Sequence, residues 1–185
     1  MSDDRTPLRL FWAEFRENKI GLVALVVVVV TILLALFASI ISPQDPYDLA
    51  KLSLMDSRRP PGFIGSGGYT HLLGTDPQGR DLLSAIFYGL RISIQIGLAA
   101  GFVSLTIGTA LGITAAYVGG RIEALIMRLI DLQLSFPAIL LALVIVALLG
   151  QGKVQLISAL VAAQYAYFAR TAYGAAKAER GKDYI

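Results

Sequence analysis

The stretch HLLGTDPQGRDLLSAIFYGLRISIQIGLAAGFVSLTIGTALGITAAYVGG, His71 to Gly120, decides the fold class. It opens with a polar turn, passes through an amphipathic segment and becomes a long apolar helix. Gly97, Gly101, Gly108 and Gly112 follow one another at steps of four, seven and four, which keeps all of them on one helical face. Ser104 falls on that face midway and Ala115 extends it. In lipid, a stripe of small side chains lets another helix approach to backbone van der Waals contact. The spacing predicts helix packing and by itself says nothing about cargo.

Composition agrees with a bilayer setting. Hydrophobic residues make up 56% of the 185 and charged residues 16%, against roughly 25% charged in soluble domains. Mean hydropathy is +0.67. With no cysteine, a disulfide framework and a thiolate metal site are both excluded. Net charge is only +3, and no basic run with interleaved aromatics points to nucleic acid. The expected class is all-α, a polytopic transmembrane helical bundle.

Upstream, Met1 to Lys19 carries Arg5, Arg9, Arg16 and Lys19, with Leu8, Phe11, Trp12 and Phe15 on one side of a helix. That is a basic amphipathic lead-in suited to a membrane surface, and Asp3 and Asp4 suit its N-terminus. Ile20 to Ile41 then runs 22 residues without a charge. At 1.5 Å per residue it reaches about 33 Å, enough for a hydrocarbon layer of roughly 30 Å. The run is too long for a signal-peptide core, so an uncleaved first span is expected. Ser42-Pro43 and Asp45-Pro46 stop it. From Ser42 to about Leu90 the chain reads as a polar external loop with little core of its own. Asp76 before Pro77 reads as an N-cap with proline at the first helical position. Leu82, Leu83, Ile86, Phe87 and Leu90 then form the apolar face of a short interfacial helix, feeding through Gly89 and Arg91 into the second span.

Downstream, the second span covers about Ile92 to Val118 and stops at Gly119-Gly120. A third starts near Ile122 with Pro137 inside it, where a kink is expected. A fourth, about Val154 to Ala169, is diluted by Gln155 and Gln164. Arg128 and Asp131, three apart, are expected to form an ion pair on one helical face. Four basic residues precede the first span and four follow the fourth (Arg170, Lys177, Arg180, Lys182), while Arg121 and Arg128 flank the turn between spans two and three. Only Lys153 lies in the opposite short turn, though the long loop carries Lys51, Arg58, Arg59, Arg80 and Arg91. Both termini on the cytoplasmic side is the consistent arrangement.

No phosphate-binding G-x-x-x-x-G-K-[ST] loop and no H-E-x-x-H occur, so neither nucleotide binding of the usual kind nor zinc hydrolysis is indicated, and no cofactor is expected. His71 is the only histidine, and such a loop histidine reads as structural or solvated. Asp131 invites a proton-relay reading, with a locally satisfied pair as the alternative. Gln95, Gln155 and Gln164 either line a polar path or bond between helices.

The order His71-Leu72-Leu73-Gly74-Thr75-Asp76, Gly79-Arg80-Asp81 and Tyr88-Gly89-Leu90-Arg91-Ile92-Ser93 resembles the signature of the "C" permease subunit of bacterial dipeptide, oligopeptide and nickel ABC importers. Trp12, Phe15, Asn18-Lys19, Tyr117-Val118-Gly119-Gly120, Asp131, Ser135-Phe136-Pro137, Ala169-Arg170 and Lys182-Asp183-Tyr184 agree, so the resemblance covers nearly the whole chain. It departs at Tyr165, where tryptophan is common, and at Tyr173, where a second arginine is common.

The resemblance implies a family-signature turn at Gly74, Thr75, Asp76, Gly79, Arg80 and Asp81 and a location in the bacterial inner membrane. It implies a homologous second permease subunit, two ATPase subunits and an extracytoplasmic peptide-binding protein as partners. Residues 1–45 then form the lead-in and first anchor, 46–90 the external loop with its interfacial helix, and 91–185 a partial permease core. Four of the family's usual six spans are expected, and the sequence ends at Ile185 where the ATPase-docking EAA loop would begin, as a fragment or truncated product would. The competing readings are a non-transporting scaffold or regulatory fragment and, further off, a proton-coupled carrier using Asp131.

Overall fold

The computed structural model describes residues 7–181. The acidic start at Asp3 and Asp4, the cation Arg5, and Lys182 to Tyr184 lie outside the described residues. Helix dominates. The lead-in is α1 (Pro7–Glu17), in which Phe15 stacks on both Phe11 and Trp12. Asn18 breaks the chain and caps α2 (Lys19–Leu36), its Oδ1 accepting the Gly21 N–H at 2.9 Å. Five consecutive valines, Val26 to Val30, are poor helix formers, yet they are helical here. In hydrocarbon each backbone group must be satisfied within the segment, which overrides side-chain preference. Only 6% of this window is buried within the chain. A short α3 (Ala38–Ile41) ends at Ser42, before the expected prolines.

Residues 42–81 are not a loop without a core. Two 3-10 turns (Leu49–Lys51 and Leu54–Asp56) and a two-residue antiparallel hairpin, β1 (Phe63–Ile64) with β2 (Thr70–His71), enclose a polar interior. Gln44, Asp56, His71, Thr75, Asp81 and Ser84 are all buried. This interior has no hydrophobic period, which is why pattern reading passes over it.

The expected interfacial helix and second span are one element, α4 (Leu82–Val118), unbroken at Gly89 and Arg91. Its 37 residues reach about 55 Å, well beyond a hydrocarbon layer of roughly 30 Å. Gly119 and Gly120, both at positive φ (73° and 58°), turn the chain into α5 (Gly120–Leu134). The expected kink at Pro137 is a full break: α5 and α6 (Ala138–Leu149) meet at 89°. Pro137 has no N–H to offer the preceding turn, and its φ of −58° and ψ of 120° start a new helix instead. Then α7 (Lys153–Arg180) runs 28 residues.

Among the described residues, α2 and α4 are long and apolar enough to cross a bilayer, and the bent α5–α6 pair brings the number to three if it counts as one span. The expected fourth, α7, fails that criterion because Gln155, Gln164 and Arg170 dilute it.

Compactness divides the chain inside α4, between Ile94 and Gln95. In the second unit the core is rich in alanine. Ala115, Met127, Ile130, Ala166 and Ala169 are buried together, with Leu111, Ile126 and Tyr165 packed around them.

Candidate functional site

The signature residues assemble as a clasp at the head of α4. Gly74 and Gly79 have φ near +79° and +77°, a region that side chains with a Cβ rarely adopt. A Cβ on Gly74 would strike the Arg59 carbonyl, and one on Gly79 the Ser53 carbonyl. Thr75 is held on both sides: its N–H donates to Arg59 O at 3.1 Å, and its hydroxyl accepts the Arg59 N–H at 2.8 Å while donating to Asp56 O.

Asp76 is not the N-cap of the helix. Its Oδ1 accepts the N–H groups of Gln78 (2.8 Å) and Arg80 (3.0 Å), and its Oδ2 takes Arg80 Nε at 2.7 Å, so it closes a turn that ends before the helix starts. Burial opposes its charge, but the bonds from Arg80 and Gln78 win and hold the carboxyl below its ordinary value.

Asp81 does the capping. Its Oδ2 accepts both the N–H and the hydroxyl of Ser84, each at 2.7 Å, three residues into α4. Oδ1 faces His71 Nδ1 at 3.0 Å, and the Asp81 N–H donates to Gln44 Oε1 at 2.7 Å. An aspartate immediately before the first apolar residue is the textual signal for this cap, and the Asp-Pro pair upstream mimics it.

His71 is thus a buried structural residue. Its ring lies between Phe63, stacked at 6.4 Å, and the edge of Tyr69 at 5.0 Å, and its Nε2 has no hydrogen-bond partner. Behind it, Asp56 Oδ2 accepts the Ser66 hydroxyl (2.6 Å) and N–H (2.9 Å), which together hold that carboxyl below its ordinary value. Burial pushes the Tyr69 phenol upward, with Asp81 and Asp56 adding to the shift. Among the described residues no group of three or more histidines and carboxylates is placed to hold a metal. The arrangement positions a helix.

The small-residue face of α4 divides into two halves. A Cβ on Gly108 would meet the backbone of Tyr165 and Ala169, and one on Gly112 that of Ala169 and Tyr173, so α7 lies directly on both. At Gly97 and Gly101 a Cβ would meet nothing within 4 Å. Ser104, midway, is fully buried with its hydroxyl unpartnered.

The expected Arg128–Asp131 pair does not form. Asp131 Oδ1 is bonded at 2.7 Å to Nη1 of Arg170 on α7, and Arg128 is exposed. A same-helix pair is worth only a few tenths of a kcal/mol, so packing of α5 on α7 decides the partner. Nearer the start of α5, Glu123 accepts the Tyr173 hydroxyl and pairs with Lys177 Nζ at 2.5 Å. The Tyr173 departure noted in the sequence therefore lies in a polar network.

Comparison with known proteins agrees with this architecture. Residues 6–61 match the N-terminal transmembrane domain of oligopeptide transport permease C, and residues 108–185 match the binding-protein-dependent transport system inner membrane component. The dipeptide transport system permease protein DppC of Haemophilus influenzae is 34% identical over 181 residues, 98% of this chain and 60% of that protein. The di/tripeptide transport system permease protein DppC of Pseudomonas aeruginosa is 37% identical over 97% of this chain and 58% of its own length. The glutathione transport system permease protein GsiD of Pectobacterium atrosepticum is 33% identical over 92% of this chain and 54% of its own. The chain thus spans less than two thirds of each of these relatives. A membrane-embedded helical chain with this turn, this small-residue face and these likenesses at both ends belongs to the family of inner-membrane permease components of binding-protein-dependent transport systems.

Proposed function

We propose that the chain forms part of the transmembrane path of an ATP-driven importer of di- or oligopeptides. A homologous second permease subunit would complete the path. An extracytoplasmic peptide-binding protein would deliver the solute, and two ATPase subunits would supply the energy. The observation that carries this reading is the likeness of nearly the whole chain to peptide permeases. The clasp is read as a fixture on the outer side that sets where α4 enters the bilayer. Both termini are cytoplasmic, with α7 as the crossing that follows the bent pair. The pairing of Asp131 with Arg170 supports this reading over a proton-coupled carrier.

The test is uptake of a radiolabelled dipeptide in cells lacking other peptide importers, with the gene expressed alongside its neighbouring transport genes. Uptake that needs the ATPase genes and survives collapse of the proton gradient is expected. Uptake that persists without ATPase but fails with a protonophore would replace this reading by a secondary carrier, and assembly without any uptake would favour a scaffold.

A further inference from the structure

The outward face of α5 is basic and apolar at once. Arg121, Leu125, Arg128 and Leu132 follow at steps of four, three and four, so they share one side of the helix, opposite the buried Met127 and Ile130. Leu125, Leu129 and Leu132 are each about 60% exposed (62%, 58% and 61%). The charges on α5 are sorted by side. Glu123 is neutralised by Lys177 and Asp131 by Arg170, both on α7, whereas among the described residues neither Arg121 nor Arg128 has a hydrogen bond or ion pair. What remains facing outward is two unpaired cations set among leucines.

The bend says where this face lies. The twelve residues of α6 contain no polar side chain, so they lie in hydrocarbon. With α5 at 89° to α6 and carrying four charged residues in fifteen, α5 runs along the bilayer surface while α6 dips into it.

We propose that the Arg121/Arg128 face of α5 binds anionic phospholipid headgroups, with Leu125, Leu129 and Leu132 reaching into the acyl boundary below them. Charge complementarity selects the occupant: the face has two free cations and no free acid. The inference rests on the membrane location of the chain and is independent of the solute transported.

The full chain is reconstituted in nanodiscs of phosphatidylcholine containing phosphatidylglycerol, and a tryptophan reporter is placed by Leu125→Trp in a Trp12→Phe background. Brominated phosphatidylglycerol should quench this reporter more strongly than brominated phosphatidylcholine at equal mole fraction. The preference corresponds to roughly fivefold local enrichment for each arginine. Arg121→Gln with Arg128→Gln should abolish the preference while leaving quenching by either lipid, and Arg121→Lys with Arg128→Lys should keep it, which separates charge from misfolding. Equal quenching by the two lipids in the parent, or loss of the preference in the lysine pair, would overturn the proposal. So would absence of quenching by either lipid, since that face would then be covered by protein.

Discussion

The Nδ1 atom of His71 lies 3.0 Å from Oδ1 of Asp81, and each side chain is only 1% exposed. Through that contact the β1–β2 hairpin is joined to the first turn of α4. Asp81→Ala removes the helix cap and strands both His71 and Ser84 in a buried polar interior. The expected cost to the fold of residues 42–81 is about 3 kcal/mol. Limited proteolysis between residues 57 and 80 should read it as faster cleavage, and His71→Ala should share most of the effect without being additive to it.

Gly79 and Gly68 have nearly the same φ, 77° and 78°, but different surroundings. A Cβ on Gly68 meets nothing within 4 Å, whereas on Gly79 it meets the Ser53 backbone, which cannot move aside as a side-chain tip would. Gly68→Ala should cost only the left-handed strain, roughly 1 kcal/mol. Gly79→Ala should cost roughly two to three times that, because overpacking is added. Thermal unfolding of the two variants in the same detergent checks the ranking, and equal melting temperatures would contradict it.

The two halves of the α4 glycine face should separate in the same way. Gly108→Leu drives a side chain into the α7 backbone and should destabilise the chain by about 3 kcal/mol or more. Gly97→Leu and Gly101→Leu enter open space, so folding of the isolated chain should be unchanged. Any defect that these two show in assembled complexes, measured by co-purification, then reports a contact outside this chain.

Acid should loosen residues 42–81. The Asp56 carboxyl is held below its ordinary value of 3.8 by Ser66, so its contribution to stability is complete above that value. The contribution is lost as pH falls through the lower value of the folded state. Asp76, held down by Arg80 and Gln78, acts in the same window and the same direction. Through these two carboxylates, protease resistance of residues 42–81 should fall as pH drops below about 4. Ser66→Ala should flatten that fall, with Asp76 supplying what remains.

These contrasts mark what could be read from the text of the chain. The first span is written in composition alone: an uncharged run from Ile20 to Ile41 permits little else. The glycine spacing puts four glycines on one helix face, but it could not say that α7 occupies Gly108 and Gly112 and leaves Gly97 and Gly101 open. Two local rules misled. Asp76-Pro77 fits a generic cap, while the helix is launched five residues later, because Asp76 is engaged by Arg80. Arg128 and Asp131 fit a same-helix pair, while Arg170, 39 residues further on, takes the carboxylate. Both errors are tertiary contacts prevailing over short-range preference. The interior around His71 lay outside any periodic rule, since it is built from hydrogen bonds between residues such as Gln44 and Asp81.

The sparse burial of α2 has a consequence for how this protein can vary. A helix that touches so little of its own chain is written by its solvent, so any sequence of equal length and oiliness serves inside this polypeptide. Swapping Val26–Val30 for leucines, or shuffling them, leaves the anchor as it was, whereas the letters at Asn18 and Phe37, where it begins and ends, stay meaningful. Drift should therefore accumulate in its middle and stall at its edges.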